Sequence, residues 1–243
     1  MAKVMLITGA GRGIGAATAR LATERGYKVC VNYLRDKAAA EKLAKEIGAI
    51  AVAADVSVEA DVIRLFKTVD EKLGRLCVLV NNAGIVDVKA RVEEMSVARL
   101  QRMFAVNMIG SFLCAREAVK RMAKRHGGTG GTIVNVSSAA ARIGSPGDYV
   151  DYASAKGAID TFTMGLAKEV AGDGIRVNAV RPGVIRTEIH ASSGDPGRLE
   201  RIGATAPLAR PGEPEEVARA ILWLAADESS YTTGAIIDVT GGR

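Results

Sequence analysis

The stretch KVMLITGAGRGIGAATARLATER, Lys3–Arg25, decides the fold. Lys3 to Thr8 is a short apolar run with strand character, and Ala16 to Arg25 has a helical pattern. Between them lie four glycines: Gly9, Gly11, Gly13 and Gly15. Strand, glycine-rich turn and helix in that order suit an anion. The turn lets backbone N–H groups approach a pyrophosphate at the positive end of the helix. A plain strand-to-helix turn is the alternative at this stage. Gly9, Arg12, Gly13, Ile14 and Gly15 are therefore candidate phosphate-binding positions.

The same alternation continues along the chain. Lys28–Tyr33 (KVCVNY), Ala49–Val56, Leu76–Val80, Thr132–Val136, Ile175–Val180 and Ala235–Val239 are further short β-rich runs. Helical segments separate them at Asp36–Ile47, Val58–Leu73, Glu93–Arg125, around Tyr152, and at Pro214–Ala225. Seven strands alternating with helices predict an α/β doubly wound parallel sheet of the Rossmann type, with helices on both faces. No linker, repeat or composition shift divides residues 1–243, so a single domain is expected.

In such a fold the end of the second strand meets the adenosine ribose. The residues there are Asn32, Tyr33, Leu34 and Arg35, with no carboxylate before Asp36. Together with Arg12 this favours a 2′-phosphate, hence NADP(H), with NAD(H) as the alternative. Either arginine as a mere surface charge is the competing reading. Asp55 and Val56 close the third run, where a carboxylate suits either the adenine amino group or a helix cap. Asn82, Ala83 and Gly84 follow the fourth run in a small, polar turn.

Tyr152 and Lys156 are four residues apart, so they share one helix face. An ammonium there is expected to lower the phenol's pKa and ready it for proton transfer. Asn107 sits in mid-helix, where Asn is a poor former. Either a buried polar role or a local kink follows, or the side chain faces solvent. Phe104, Met108, Phe112 and Ala115 are expected to share an apolar face of that helix.

Apolar residues make up 48% of the chain and charged residues 25%, with a net charge of +6 spread along the sequence. No basic run with interleaved aromatics points to nucleic acid, and no apolar run reaches membrane-spanning length. Cys30, Cys77 and Cys114 lack metal spacing, and no His/Cys cluster suggests a metal. Reduced thiols and a β-rich run starting at Lys3, with no room for a leader, make the cytoplasm the expected compartment. His126 reads as an exposed loop residue. His190 falls in Thr187–Pro207, a stretch without period that is expected to form a flap over a site.

Three motifs stand together: TGxxxGIG at Thr8–Gly15, NNAG at Asn81–Gly84, and YxxxK (YASAK) at Tyr152–Lys156. In this combination the chain resembles the short-chain dehydrogenases/reductases over its whole length. Within the family it is similar to glucose-dehydrogenase-like and 3-oxoacyl-carrier-protein-reductase-like oxidoreductases. The resemblance implies strand order 3-2-1-4-5-6-7. It implies Tyr152 as general acid or base, Lys156 on the nicotinamide ribose, Ser138 (or Ser137) on the substrate oxygen, and Asn107 in a proton relay. It also implies that Pro182, Gly183, Ile185 and Thr187 cradle the carboxamide, and that the protein is a homotetramer acting on a small carbonyl or sugar-like substrate. Two departures stand out. One extra residue separates Ser138 from Tyr152, which should alter the loop beside the substrate. Asp173 occupies a turn where carrier-protein reductases carry a basic residue, although Arg125 matches one side of that patch. Carrier-protein reduction is thus the second reading, and a catalytically silent nucleotide sensor the third.

Overall fold

The computed structural model describes residues 2–188 and 197–243. Seven parallel strands form one sheet: β1 Val4–Ile7, β2 Lys28–Tyr33, β3 Ile50–Ala53, β4 Leu76–Asn81, β5 Gly131–Val136, β6 Ile175–Pro182 and β7 Ile236–Val239. Their order is β3-β2-β1-β4-β5-β6-β7. The helices are α1 Gly13–Glu24, α2 Lys37–Ile47, α3 Glu59–Lys72, α4 Val97–Phe104, α5 Gly110–Met122, α6 Ala140–Ile143, α7 Val150–Val170, α8 Arg198–Gly203 and α9 Pro214–Ala225.

Both faces of the sheet are buried, which explains why the strands read as unbroken apolar runs. On one face Met5, Ile7, Val29 and Val31 pack against Ala19 and Ala22 of α1, Leu43 of α2, and Val217 and Ile221 of α9. On the other, Leu6, Cys30, Leu79 and Ile133 pack against Phe66 of α3, Cys114 and Met122 of α5, and Ala167 and Val170 of α7. Burial pushes the Cys30 and Cys114 thiols up to about 12, which leaves them protonated and inert. β1 pairs with β2 on one side and β4 on the other. The chain therefore reverses direction across the sheet between β1 and β4, and the crevice at the carboxyl ends of these strands is where such folds place a ligand.

Three local differences from the sequence reading have physical causes. The pattern read as one helix over 93–125 is α4 and α5 joined by a π-helical turn, Ala105–Ile109. The wider turn shifts the helix face, so Met103, Asn107, Cys114, Ala118 and Met122 point inward. Of the expected apolar face, Ala115 is buried, while Phe112 is 45% exposed and stacks on Phe162 of α7 with ring centroids 3.8 Å apart. β3 stops at Ala53, before Asp55, and Asp55 does not cap α3. It accepts instead from the Ser57 amide and hydroxyl at 2.9 and 2.6 Å. Within the expected flap, α8 is helical, and His190 lies outside the described residues.

Candidate active site

One cavity of about 1150 Å³ runs along the carboxyl ends of the strands. Its walls come from the segments that follow β1, β2, β3, β4, β5 and β6. The turn after β1 is shaped by glycine. Gly9 and Gly13 have φ of +60° and +53°, a region that favours glycine. A Cβ on Gly9 would lie 2.8 Å from the Ala83 Cα, so the turn and the Asn81–Gly84 segment are in backbone contact. Arg12 caps α1 without a side-chain hydrogen bond, and the first turn of α1 carries no acidic residue. The helix thus presents uncapped N–H groups and a positive dipole end to the cavity, which suits a diphosphate.

Thr8 joins the two glycine-bearing turns. Its hydroxyl oxygen accepts from the Asn82 and Ala83 amides, both at 3.0 Å. The Asn82 side-chain amide donates to the Thr8 and Gly9 carbonyls at 2.9 and 3.0 Å. Asn32 acts from the other side: its Oδ1 accepts from the Gly9 amide, and its Nδ2 donates to the carbonyls of Val52 and Ala54. Asn32 and Asn82 line the cavity, but their side chains are occupied in holding its walls. Gly15 does not line it. A Cβ there would lie 2.6 Å from Asn82 Nδ2 and 2.8 Å from the Ala10 Cα, so this glycine permits close packing of helix on turn.

The remaining expected residues gather as follows. Arg12, Tyr33, Leu34, Arg35, Asp55 and Val56 line one end. Asp36 also lines it, but its Oδ1 caps α2 by accepting from the Ala39 amide at 2.9 Å. Ser138, Tyr152, Lys156, Pro182, Gly183, Ile185 and Thr187 line the other end, with Ile14, Ala83 and Gly84 between. Asn107 stands just behind the wall. It is fully buried, its Oδ1 accepts from the Ile85 amide at 3.0 Å, and its Nδ2 donates to the carbonyls of Ile85 and Met103. The π-helical turn aims it there, and a Cβ on Gly84 would meet its Oδ1 at 2.8 Å. Both alternatives raised for a mid-helix Asn, a buried role and a local distortion, are therefore met.

Lys156 is buried, and its Nζ donates to the Val136 carbonyl at 2.7 Å, 5.7 Å from the centre of the Tyr152 ring. Burial lowers its pKa to about 8, against an opposing pull from the Asp160 carboxylate. The Tyr152 phenol moves the other way from the sequence expectation. Burial raises its pKa, and the Ser138 hydroxyl offsets this in part. Desolvation disfavours both charged forms, and here it outweighs the attraction expected from a Tyr–Lys pair on one face. At neutral pH the phenol keeps its proton. Ser138 faces Tyr152, whereas Ser137 is buried and donates to the Lys156 carbonyl at 3.2 Å, which separates the two serines by environment.

The sequence reading missed an ion pair beside the tyrosine. Arg99 of α4 donates through Nε and Nη2 to Asp151 at 2.8 and 3.3 Å, both side chains being almost fully buried. The Asp151 Oδ1 accepts from the Tyr152 amide, and Arg99 Nη1 donates to the Val88 carbonyl at 2.7 Å. The pair thus fixes the start of α7 to α4 and to the segment that brings Ile85 and Val86 to the cavity. Its only sequence signal was a carboxylate in the first turn of the tyrosine helix.

Comparison with known proteins agrees with this geometry. Residues 9–243 match a family described as enoyl-(acyl carrier protein) reductase. The chain is 51% identical to the uncharacterized oxidoreductase YgfF of Escherichia coli, over 99% of each chain. It is 41% identical to a 3-oxoacyl-[acyl-carrier-protein] reductase of Synechocystis, covering 99% of this chain and 96% of that one, and 38% identical to glucose 1-dehydrogenase 2 of Bacillus subtilis, covering 99% and 94%. A solved short-chain dehydrogenase/reductase of Serratia marcescens, a doubly substituted mutant, superposes with a TM-score of 0.90 at 29% identity, covering 99% of this chain and 97% of that one. The chain belongs to the short-chain dehydrogenase/reductase family. As a member it is an oxidoreductase of the NAD(P)-using kind. Among the described residues no helix is long and apolar enough to cross a membrane, and no cluster of His, Cys, Asp and Glu offers a metal site.

Replacing Asp151 by Asn or Arg99 by Met leaves one buried charge without its partner. Each change is expected to cost about 3–5 kcal/mol in urea unfolding, whereas the exposed Lys67–Glu71 pair should be worth under ~1 kcal/mol when broken.

Proposed function

We propose that the protein is an NADP(H)-dependent oxidoreductase that interconverts a small ketone or aldehyde, or a sugar-like carbonyl, with the corresponding alcohol. The observation that carries this reading is the convergence of Ser138, Tyr152 and Lys156 at one end of a cavity whose other end opens onto a glycine turn at a helix N-terminus. When bound, the cofactor supplies the hydride. The chain supplies position, a proton and oxygen stabilisation. The glycine turn would hold the diphosphate, and Pro182, Gly183, Ile185 and Thr187 would hold the carboxamide end.

In carbonyl reduction Tyr152 donates its proton to the developing alkoxide, and Ser138 donates a hydrogen bond to the same oxygen. The raised phenol pKa suits the acid role, because the proton is present at neutral pH. Lys156 binds the ribose hydroxyls and, while charged, eases loss of the phenolic proton. Asn107 stands one residue behind the wall, in reach of a proton path through Lys156. For alcohol oxidation Tyr152 must begin ionised, so that direction is expected to accelerate as pH rises.

The preference for NADP(H) rests on the adenosine end. Arg12 and Arg35 flank it, and among the described residues neither makes an ion pair. Asp36, the first carboxylate after β2, uses one oxygen to cap α2. Reduction of an acyl-carrier-protein substrate is less well supported. Arg125, which matched that reading, is ion-paired with Asp173, so its charge is cancelled on the face where an acidic partner would dock. A silent sensor is disfavoured because all four polar groups are present. A homotetramer is supported by apolar residues left on the outside of the paired helices: Val97 and Phe112 on α4 and α5, and Met164 on α7, are 69%, 45% and 45% exposed.

Tyr152→Phe is expected to abolish NADPH oxidation across a carbonyl panel while NADPH binding stays within about threefold of wild type. A Phe variant turning over at a similar rate refutes the role given to the phenol. In calorimetric titration NADPH should bind at least tenfold tighter than NADH, worth ~1.4 kcal/mol; the reverse order refutes the arginine argument. Light scattering should return four chains per particle, and a monomer would rule out the assembly.

A further inference from the structure

The buried amine of Lys156 has a charged neighbourhood on the side away from Tyr152. Asp160 lies one helical turn further along α7 and is 7% exposed. Its Oδ2 accepts from Arg181 Nε and Nη2 at 2.9 and 2.8 Å. Its Oδ1 is buried and has no hydrogen-bond partner among the described residues. Arg181 stands at the end of β6, directly before Pro182 and Gly183. Its Nη1 reaches Asp238 Oδ1 of β7 at 3.5 Å. Asp238 Oδ2 in turn accepts from Arg142 Nη1 of α6 at 2.5 Å. A row of alternating charges thus leads from an exposed arginine on the helix after Ser138 to a carboxylate one turn from Lys156.

This row has a chemical consequence. A buried ammonium is costly unless an opposite charge stands near it. From the sheet, the Val136 carbonyl faces the Lys156 amine. From the π-helical turn, Asn107 Oδ1 lies close by, and on α7 itself there is the Tyr152 phenol. All three are uncharged at neutral pH. The other buried carboxylate of α7, Asp151, is held by Arg99. Asp160 is the carboxylate that favours the charged form of Lys156. It is itself half-neutralised, since two of Arg181's nitrogens bear on one oxygen and leave the other unpartnered.

We infer that Asp160 and Arg181 form a positioning pair for Lys156, in which Asp160 supplies the counter-charge that keeps the buried amine an ammonium and Arg181 sets how much of that counter-charge remains. The inference rests on the reading of Lys156 as the group that serves the ribose and Tyr152. The pair also ties α7 to the Pro182–Gly183 turn, so the lysine and the carboxamide cradle are held at a fixed separation. An acid–base residue on one element and a cofactor clamp on another then share one electrostatic joint.

The test is the titration of the Lys156 signal in protein carrying ¹³Cε-lysine, assigned by its loss in Lys156→Arg. It needs no substrate, so it is independent of the Tyr152→Phe result that decides the oxidoreductase reading. The wild-type midpoint is expected near 8. Asp160→Asn removes the anion and should lower the midpoint by roughly one unit. Arg181→Met unmasks the anion and should raise it, and the Asp160→Asn/Arg181→Met double variant should fall between. Loosened packing alone would let water in and move every variant upward. An Asp160→Asn midpoint that is unmoved or raised overturns the inference. Should that variant not fold, the other two decide: an Arg181→Met midpoint above wild type, with the double variant's below it, supports the pair, and an unmoved or lowered Arg181→Met midpoint, or a double variant that matches it, overturns it.

Discussion

A lysine amine held out of water against a backbone carbonyl is the constraint on which the site depends. Lys156 Nζ reaches across from α7 to the Val136 carbonyl at the end of β5. That bond fixes the rotation of α7, and the rotation places Tyr152 one turn earlier on the same face. Ser138 follows Val136 by two residues on the strand side of the same contact. The placement of Ser138, Tyr152 and Lys156 therefore reduces to one helix seated on one strand end, with desolvation moving the proton affinities of the phenol and the amine.

Around that contact the structure spends buried polar groups on rigidity. Asn81 donates to Asn135 at 3.0 Å, Asn135 to Thr163 at 2.9 Å, and Thr163 to the Ile159 carbonyl at 2.8 Å, stitching β4, β5 and α7 beneath the cavity. Arg99 and Asp151 clamp the first turn of α7, and Asp160 with Arg181 clamps its middle. Buried networks of this kind are costly when half-satisfied and specifying when complete. The cavity end that needs such precision is the one holding Tyr152, whereas the adenosine end is bounded by exposed arginines and a helix cap.

The strand–turn–helix alternation was legible because it depends on local pattern: apolar runs bounded by glycine, and helical periods between them, whereas the strand order came only with the family resemblance. The gathering of Gly13, Gly84, Tyr152 and Lys156 was legible because spaced motifs marked each of them, and Ser138 entered only through the family resemblance. Other features were not. The π-helical turn that aims Asn107 depends on how α4 and α5 pack, and no local propensity encodes it. The direction of the Tyr152 shift was misjudged because spacing on a helix reports proximity but not burial. Arg99, Asp160 and Arg181 belong to no motif, and only the folded chain brings 99 to 151 and 160 to 181. Asn32 and Asn82 look like ligand-binding residues in sequence, and the fold shows their amides joined to backbone.

The most direct test is a crystal structure of the protein grown with NADPH. The account predicts the diphosphate at the Gly9–Ile14 turn, the 2′-phosphate between Arg12 and Arg35, and the nicotinamide ring beside Tyr152 with Lys156 Nζ on the adjacent ribose. A nucleotide bound in the reverse sense, or density outside this cavity, would contradict it.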